Sequence, residues 1–508
     1  MAIRSILYGA AGPPAGPAGT AEPGHFRDLN LDQVVREAAR AGGVPDLAAH
    51  YHRPLRDPDL VAFRQRIFHD LEDPAVREAA VRFTAAMERT RRRLAALERR
   101  KHPPQAHRWF LEIALDHTAA VIAFAEELGS VPLTAPGLLA LRDDVTAHTR
   151  SAAFTGFRER AAWLRDRLGD VRYDLFLRGD QITVAPPDPD ARPDFAERVL
   201  ATFERFRQDP APAPRDDAPP ELGLDDVEAA VLDFVAELHP RVFRDVAAFC
   251  ESNGGFVADG LLRAEHELRF YLGYLAYLAP LREAGLPVCL PAVSATDRTM
   301  AARDVYDLAL AAKLGGVGVV TNDIVLEGDE RVLVVSGPNQ GGKTTLSRTF
   351  GQLHHLAALG CPVPGREVRI FLPDRILTHY ERAEGPDDLA SKLEEELLRM
   401  RALLDRATPD SVIVLNEIFT STTAGDAWTL GETVLAEITR LDAPCMWVGF
   451  IDELSLLSPK AVSMVATVAG EERTYRIVRR PADGRAHARA IAERHGLTYA
   501  QIIDRARR

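Results

Sequence analysis

Residues Val332–Phe350 read VLVVSGPNQGGKTTLSRTF. An aliphatic run with strand character enters a glycine-rich loop, and a helical pattern leaves it. Gly337, Gly342, Lys343 and Thr344 fit G-x-x-x-x-G-K-[ST] in the context that motif requires. The spacing has a chemical reason. Glycines let backbone N–H groups turn inward around phosphate oxygens, and the helix N-terminus adds its positive dipole end. Lys343 is then placed for β- and γ-phosphates, and the Thr344 hydroxyl for Mg²⁺.

A nucleotide hydrolase also needs an acidic strand end. Ser411–Asp426 reads SVIVLNEIFTSTTAGD, in which the buried-strand pattern VIVL ends in Asn416 and Glu417. Glu417 is placed to orient or deprotonate water. Asn416 offers an amide oxygen to a magnesium-bound water but no full charge, which predicts weaker Mg²⁺ handling and slower hydrolysis.

Working outward, short apolar strands alternate with helices from about Arg331 onward, the signature of a parallel sheet with crossover helices. Upstream the pattern is helical. The expected fold is multidomain: an α-helical N-terminal region followed by a C-terminal α/β P-loop NTPase domain. Expected boundaries are a flexible tail over 1–30, helical core over 31–290, a connecting segment over 291–330 and the ATPase domain over 331–508. Within the helical part, VRYDLFLRGDQITV around Gly179-Asp180 reads as a hairpin, giving a small β insertion near 171–194. Residues 209–223, DPAPAPRDDAPPELG, read as a linker.

Composition bounds the function. With 508 residues, 46% hydrophobic and 27% charged, the chain is an ordinary soluble protein, and its net charge of −12 argues against non-specific coating of nucleic acid. The four cysteines, Cys250, Cys289, Cys361 and Cys445, form no CxxC pair and fit a reducing compartment. No secretory leader is read, and Phe270–Leu281 is too short to span a bilayer, so a cytoplasmic protein without membrane partners is expected.

GPNQGGKTT followed by NEIFTSTTAGD resembles the ATPase domain of the MutS mismatch-repair family. Pro362–Ser391 resembles the family segment leading to a serine, and the tail from Thr474 resembles its C-terminal strand and helix–turn–helix. The resemblance implies that the helical region is a core and lever and that the NTPase domain is ABC-ATPase-like. It also implies ATP and Mg²⁺ as ligands, homodimerisation through the ATPase domain, and DNA as partner. By it, Gly337, Pro338, Asn339, Gln340, Gly341, Gly342, Lys343, Thr344 and Thr345 surround the triphosphate. Thr344 and Asn416 hold the metal, and Glu417 with Lys343 is catalytic. Ser391 matches a serine that reaches the partner's γ-phosphate, and it also opens a capping box, S-K-L-E. Asp426 matches a nucleotide-site aspartate and reads equally as a helix cap. The helix–turn–helix either dimerises or packs on its own domain.

Departures from the family accompany the likeness. Asn416 replaces an acid. Where the family has Thr-His, this chain reads Val448-Gly449-Phe450. The loop FTSTTAG lacks Gly-Arg-Gly. The N-terminal mismatch-reading domain is expected to be missing, making this a short form; Phe110–Glu112, Phe124–Glu126 and Phe195–Glu197 match its Phe-x-Glu only within helical patterns. The basic run at Arg91, Arg92 and Arg93 is either a solvated face or the best candidate for DNA phosphates.

The expected function is therefore an ATP-dependent, DNA-binding MutS-like ATPase whose dimeric ATP site gates a clamp on structurally irregular DNA, in repair or recombination. A nucleotide-gated scaffold acting on protein partners is the alternative. An ABC-transporter ATPase is a more distant one, since ASKLEEE stands where an LSGGQ-type signature belongs.

Overall fold

The computed structural model describes residues 3–9, 21–99, 102–178, 181–187, 226–381, 392–469, 472–481 and 502–503. The chain divides into two compact units. One comprises Met1–Ile3, Ala75–Pro132 and Ala140–Glu265; the other comprises Arg4–Pro74, Leu133–Leu139 and His266–Arg508.

Among its described residues the first unit is helical apart from one hairpin. Pro103 opens the helix Pro103–Ser130 and Pro240 opens Pro240–Ser252. At a first turn proline forfeits no hydrogen bond and presets φ. Ser151 starts Ala152–Gly169 by accepting from the Phe154 N–H. Phe110, Leu111, Ala161, Leu164, Val246 and Phe249 form a buried core. Phe83 and Phe124 stack at 4.1 Å. Because Phe110 and Phe124 are buried, neither is presented to a ligand; Phe195 lies outside the described residues. The hairpin consists of β1 (Asp174–Arg178) and β2 (Gln181–Ala185), antiparallel with Asp174 opposite Ala185. Its Gly179-Asp180 turn and the linker at 209–223 lie outside the described residues.

The second unit is α/β. Its strands are β3 (Val288–Cys289), β4 (Ala292–Ser294), β5 (Met300–Val305), β6 (Asn322–Leu326), β7 (Val332–Ser336), β8 (Val363–Pro364), β9 (Glu367–Phe371), β10 (Arg375–Tyr380), β11 (Ser411–Asn416), β12 (Cys445–Val448), β13 (Ala461–Ala469) and β14 (Glu472–Arg479). The main sheet runs β10-β11-β12-β7-β13-β14. It is parallel except at β14, which pairs antiparallel with β13. Every residue of β7 and β11 is buried. Helices cover both faces of a parallel sheet, so its inner strands read as unbroken apolar runs. One side of the core gathers Val334, Ile413, Leu415, Leu435, Ile438 and Trp447.

The expected boundaries are corrected in two places. Residues 291–330 are more than a connection: β4, β5 and β6 join β9 in a second sheet of order β4-β9-β5-β6. Residues 31–74 and 266–290 belong with the α/β unit, not with the helical one. Helical periodicity identifies a helix but not the core it packs on.

The expected flexible tail is also corrected for its described part. Ile3, Ile6, Leu7 and Tyr8 are buried, and the Glu267 carboxylate accepts from the Ser5 hydroxyl at 2.8 Å and the Ile6 N–H at 2.6 Å. Arg64, fully buried, donates to Leu7 O and Leu359 O. Further along, Phe26 and Leu29 are buried, and Asp28 accepts from the Thr378 hydroxyl at 2.6 Å. The small, proline-rich composition of 11–23 says nothing of the apolar stretches on either side.

Candidate functional site

The Gly337–Gly342 loop leaves the C-terminal end of β7, where ligand crevices form in open α/β sheets. Its backbone requires glycine. Gly337 has φ 123°, and a Cβ there would lie 2.9 Å from the Ala466 methyl and 3.0 Å from its backbone N. Gly342 caps the following helix in a left-handed conformation, φ 91°.

That helix, Lys343–Ala358, is buried on almost every side. Gln352 explains how its polar surface is accommodated. Its amide donates to Leu29 O at 2.8 Å and Asp307 Oδ1 at 2.9 Å, and its Oε1 accepts from Leu308 N–H at 2.9 Å. Arg348 donates to Asp28 O. The N-terminal segment 21–30 thus fixes the helix that carries the loop.

Lys343 is 3% exposed, and its Nζ donates to Gly337 O at 2.8 Å and Pro338 O at 3.2 Å. It also sits 5.2 Å over the Phe450 ring. Burial pulls its ammonium below the ordinary lysine range, and the nearby Glu417 carboxylate partly opposes this. Asn416 ends β11, buried, with no hydrogen-bond partner for its Oδ1 among the described residues. Glu417 follows with φ 55°, its N–H donating to Val448 O at 2.9 Å. A non-glycine residue in that region stores strain of about 1–2 kcal/mol, which concentrates at functional positions.

Gln340, Gly342, Lys343, Thr344, Thr345 and Glu417 line one cavity of about 400 Å³. Its far side is apolar, formed by Leu310, Leu314, Val319 and Val320, with Asp307, Asn322 and Tyr475 adding polar groups. Asn339 is exposed, and Gly341 N–H donates to Pro338 O inside the loop.

The remaining expected site residues fall elsewhere. Asp426 is an N-terminal helix partner: it accepts from the Thr423 hydroxyl at 2.8 Å and the Thr422 hydroxyl at 3.2 Å, while Thr423 Oγ1 accepts from the Asp426 N–H. Ser391 lies outside the described residues, as does all but Ile502 and Ile503 of the expected helix–turn–helix. Arg91, Arg92 and Arg93, in the helical unit, are each ion-paired, with Glu265 at 3.1 Å, with Glu88 and with Asp116. A basic run read linearly does not show which acids face it, here Glu88 on the same helix and Asp116 and Glu265 on others.

Sequence reasoning missed Tyr475 and Asn322. Tyr475 has φ 55° and faces Gly342; Asn322 holds it by donating to Tyr475 O at 3.1 Å and accepting from Ile477 N–H at 2.7 Å. Arg473 pairs with Gln340. No local motif marks these residues, because they meet the loop only through the sheet.

Comparison with known proteins agrees with this arrangement. The family model described as MutS domain V matches residues 333–504. The DNA mismatch repair protein MutS of Chlorobium phaeovibrioides is 34% identical over 202 residues, covering 37% of this chain and 22% of that protein. MutS of Oleidesulfovibrio alaskensis is 34% identical over 129 residues, 25% of this chain and 14% of that one. MutS of Chlorobium phaeobacteroides is 27% identical over 275 residues, 50% of this chain and 28% of that one. The matched stretches thus span less than a third of these relatives. The α/β unit carrying this loop and strand end is, over residues 333–504, of the MutS domain V class. The chain is thus similar to MutS proteins over residues 333–504, the part the family model matches. Among the described residues no helix is long and apolar enough to cross a membrane.

Proposed function

We propose that the chain is a P-loop ATPase that binds ATP and Mg²⁺ at the Gly337–Thr345 loop. Working in the cytoplasm as a homodimer, it uses nucleotide state to gate a helical clamp on structurally irregular DNA. The observation that carries this reading is the convergence of Lys343, Thr344 and Glu417 on one cavity. The donor set fits the ligands. Inward-turned glycine backbone and the helix start at Lys343 suit a triphosphate. The Thr344 hydroxyl and the unpartnered, buried Asn416 Oδ1 suit Mg²⁺ or its bound water. Such a cation supplies charge stabilisation to phosphoryl oxygens.

The chain's own residues do the rest. Lys343 exchanges its two carbonyl partners for phosphate oxygens. Glu417 orients and deprotonates the attacking water from the cavity wall. The apolar wall from Leu310 to Val320 takes the base. Ser391 of a partner copy completes the γ-phosphate site, and Asp426 stabilises the start of the helix Ala424–Leu441.

A second reading is a nucleotide-gated scaffold that hydrolyses ATP weakly and acts on protein partners. Asn416 in place of an acid, Phe450 over Lys343 and the paired arginines at 91–93 favour it. Steady-state ATP hydrolysis with homoduplex, mismatched and branched DNA separates the two, with Lys343→Ala as the blank. DNA-responsive turnover that Glu417→Gln abolishes supports the clamp. ATP binding without turnover or DNA response supports the scaffold.

A further inference from the structure

The helix Lys392–Arg406 buries Glu396, Met400 and Leu403. That i, i+4, i+7 stripe is where an amphipathic helix places apolar residues. A carboxylate in it is costly unless its oxygens are occupied. Here both oxygens are used by the loop that follows β11. Glu396 Oε1 accepts from the Phe419 N–H at 2.7 Å, and Oε2 accepts from the Ser421 hydroxyl at 3.4 Å. His379 of β10, 2% exposed, holds its Nε2 3.7 Å from Oε1.

The held loop is the one that carries Glu417. Glu417 and Phe419 both have positive φ, 55° and 58°, with only Ile418 between them. The Phe419 ring is 3% exposed and packs into the core beside Leu415. Three tethers therefore fix a corner that its own backbone preferences oppose: Glu417 N–H on Val448 O, the Phe419 ring in the core, and Phe419 N–H on Glu396. The first comes from the sheet, and the second from a core to which strands and helices both contribute. The third comes from the helix Lys392–Arg406, which Arg399 and Lys392 tie to the end of β10 through Tyr380 O and the Glu381 carboxylate. Burial alone would raise the Glu396 carboxyl, but His379 and the Phe419 N–H outweigh it and hold it below its usual range.

We propose that Glu396 is a positioning residue for Glu417: by accepting the Phe419 N–H it holds the Asn416–Glu417 corner in its left-handed conformation. It thereby makes the helix Lys392–Arg406 the element through which the orientation of the acidic side chain is set. The proposal rests on the ATPase reading for its catalytic consequence but not for its structural one.

The test uses the full chain with Glu396→Ala and Glu396→Gln. One readout is kcat and KM for ATP. The other is amide hydrogen exchange of the peptide spanning Glu417–Ser421. In Glu396→Ala, kcat is expected to fall about 100-fold with KM for ATP little changed, as a displaced catalytic group requires. The Phe419 amide is expected to exchange about tenfold faster, the effect of losing a hydrogen bond to a charged acceptor. Glu396→Gln keeps a neutral acceptor and is expected to recover part of both; it carries the test alone if the alanine variant does not fold. A folded variant with unchanged exchange and unchanged kcat overturns the proposal. A wild-type chain that turns over no ATP above the Lys343→Ala blank overturns the ATPase reading instead. The exchange result then decides: faster exchange sustains the positioning role, and unchanged exchange rejects it.

Discussion

Replacing Gln352 with alanine is a severe test of how the loop-bearing helix is held. Gln352 is fully buried and makes three hydrogen bonds of 2.8–2.9 Å, to Leu29 O, Asp307 Oδ1 and Leu308 N–H. Alanine leaves those three groups without this partner in the interior. A buried polar group losing its partner costs about 1–3 kcal/mol, and water entering the new space recovers some of it. The sum is about 3–5 kcal/mol, a large share of the roughly 5–15 kcal/mol by which domains are stable. Urea unfolding followed by far-UV circular dichroism reads it as a lower midpoint at constant slope. A loss under about 1 kcal/mol would refute the claim that Gln352 links segment 21–30 and residue 307 to the helix. Glu in its place sharpens the test. Burial already raises the Asp307 carboxyl above its usual value, and Gln352 opposes that rise. Gln352→Glu sets a second carboxylate against it, so this variant should lose most stability at neutral pH and recover as acid protonates the pair.

Acid should unfold the α/β unit early. Burial lowers His354 and His355 to about 4 and His50 to about 4. These groups are neutral when folded but bind protons when unfolded, so stability is present above the ordinary histidine value and is lost as pH falls from about 6.5 toward 4. With three such groups the slope approaches about 4 kcal/mol per pH unit, read by urea midpoints across that range. Gly337→Ala places a methyl against Ala466 and should weaken ATP affinity at least about tenfold while far-UV dichroism stays unchanged; intact affinity would mean the loop relaxes freely. Phe450→Ala removes the ring beneath Lys343, a contact of about 0.5–2 kcal/mol, and should change ATP affinity by no more than about 30-fold; complete loss of binding would assign Phe450 a larger role. Replacing Arg91, Arg92 and Arg93 together should change any DNA affinity and its salt slope little, because each guanidinium already faces an acid. A steep fall in both would restore the basic run as the DNA surface.

The chemistry of the site was legible wherever it is local. The strand VLVVS, the glycines that a tight loop demands, Lys343 at a helix start and the strand ending in Asn416-Glu417 each carry their reason within a few residues. The alternation of apolar runs and helices likewise gave the parallel sheet. What stayed hidden depends on which of several possible partners, near or far in the chain, a side chain actually meets. Asp426 read equally as ligand and cap, and only the Thr422 and Thr423 hydroxyls place it in the cap. Arg91 to Arg93 read as a basic face until Glu88, Asp116 and Glu265 were brought against them. Ser5 to Tyr8 and Phe26 to Leu29, beside a proline-rich stretch, gave no hint that they seal the α/β unit.

The sequence by itself therefore determined which chemistry the site is proposed to carry, because glycine-rich loops and polar strand ends are written in contiguous residues with fixed spacing. Tertiary structure alone decided which charges are free to use it. A buried carboxylate such as Glu396 takes its meaning from the Phe419 N–H and His379, which no spacing along the chain connects to it.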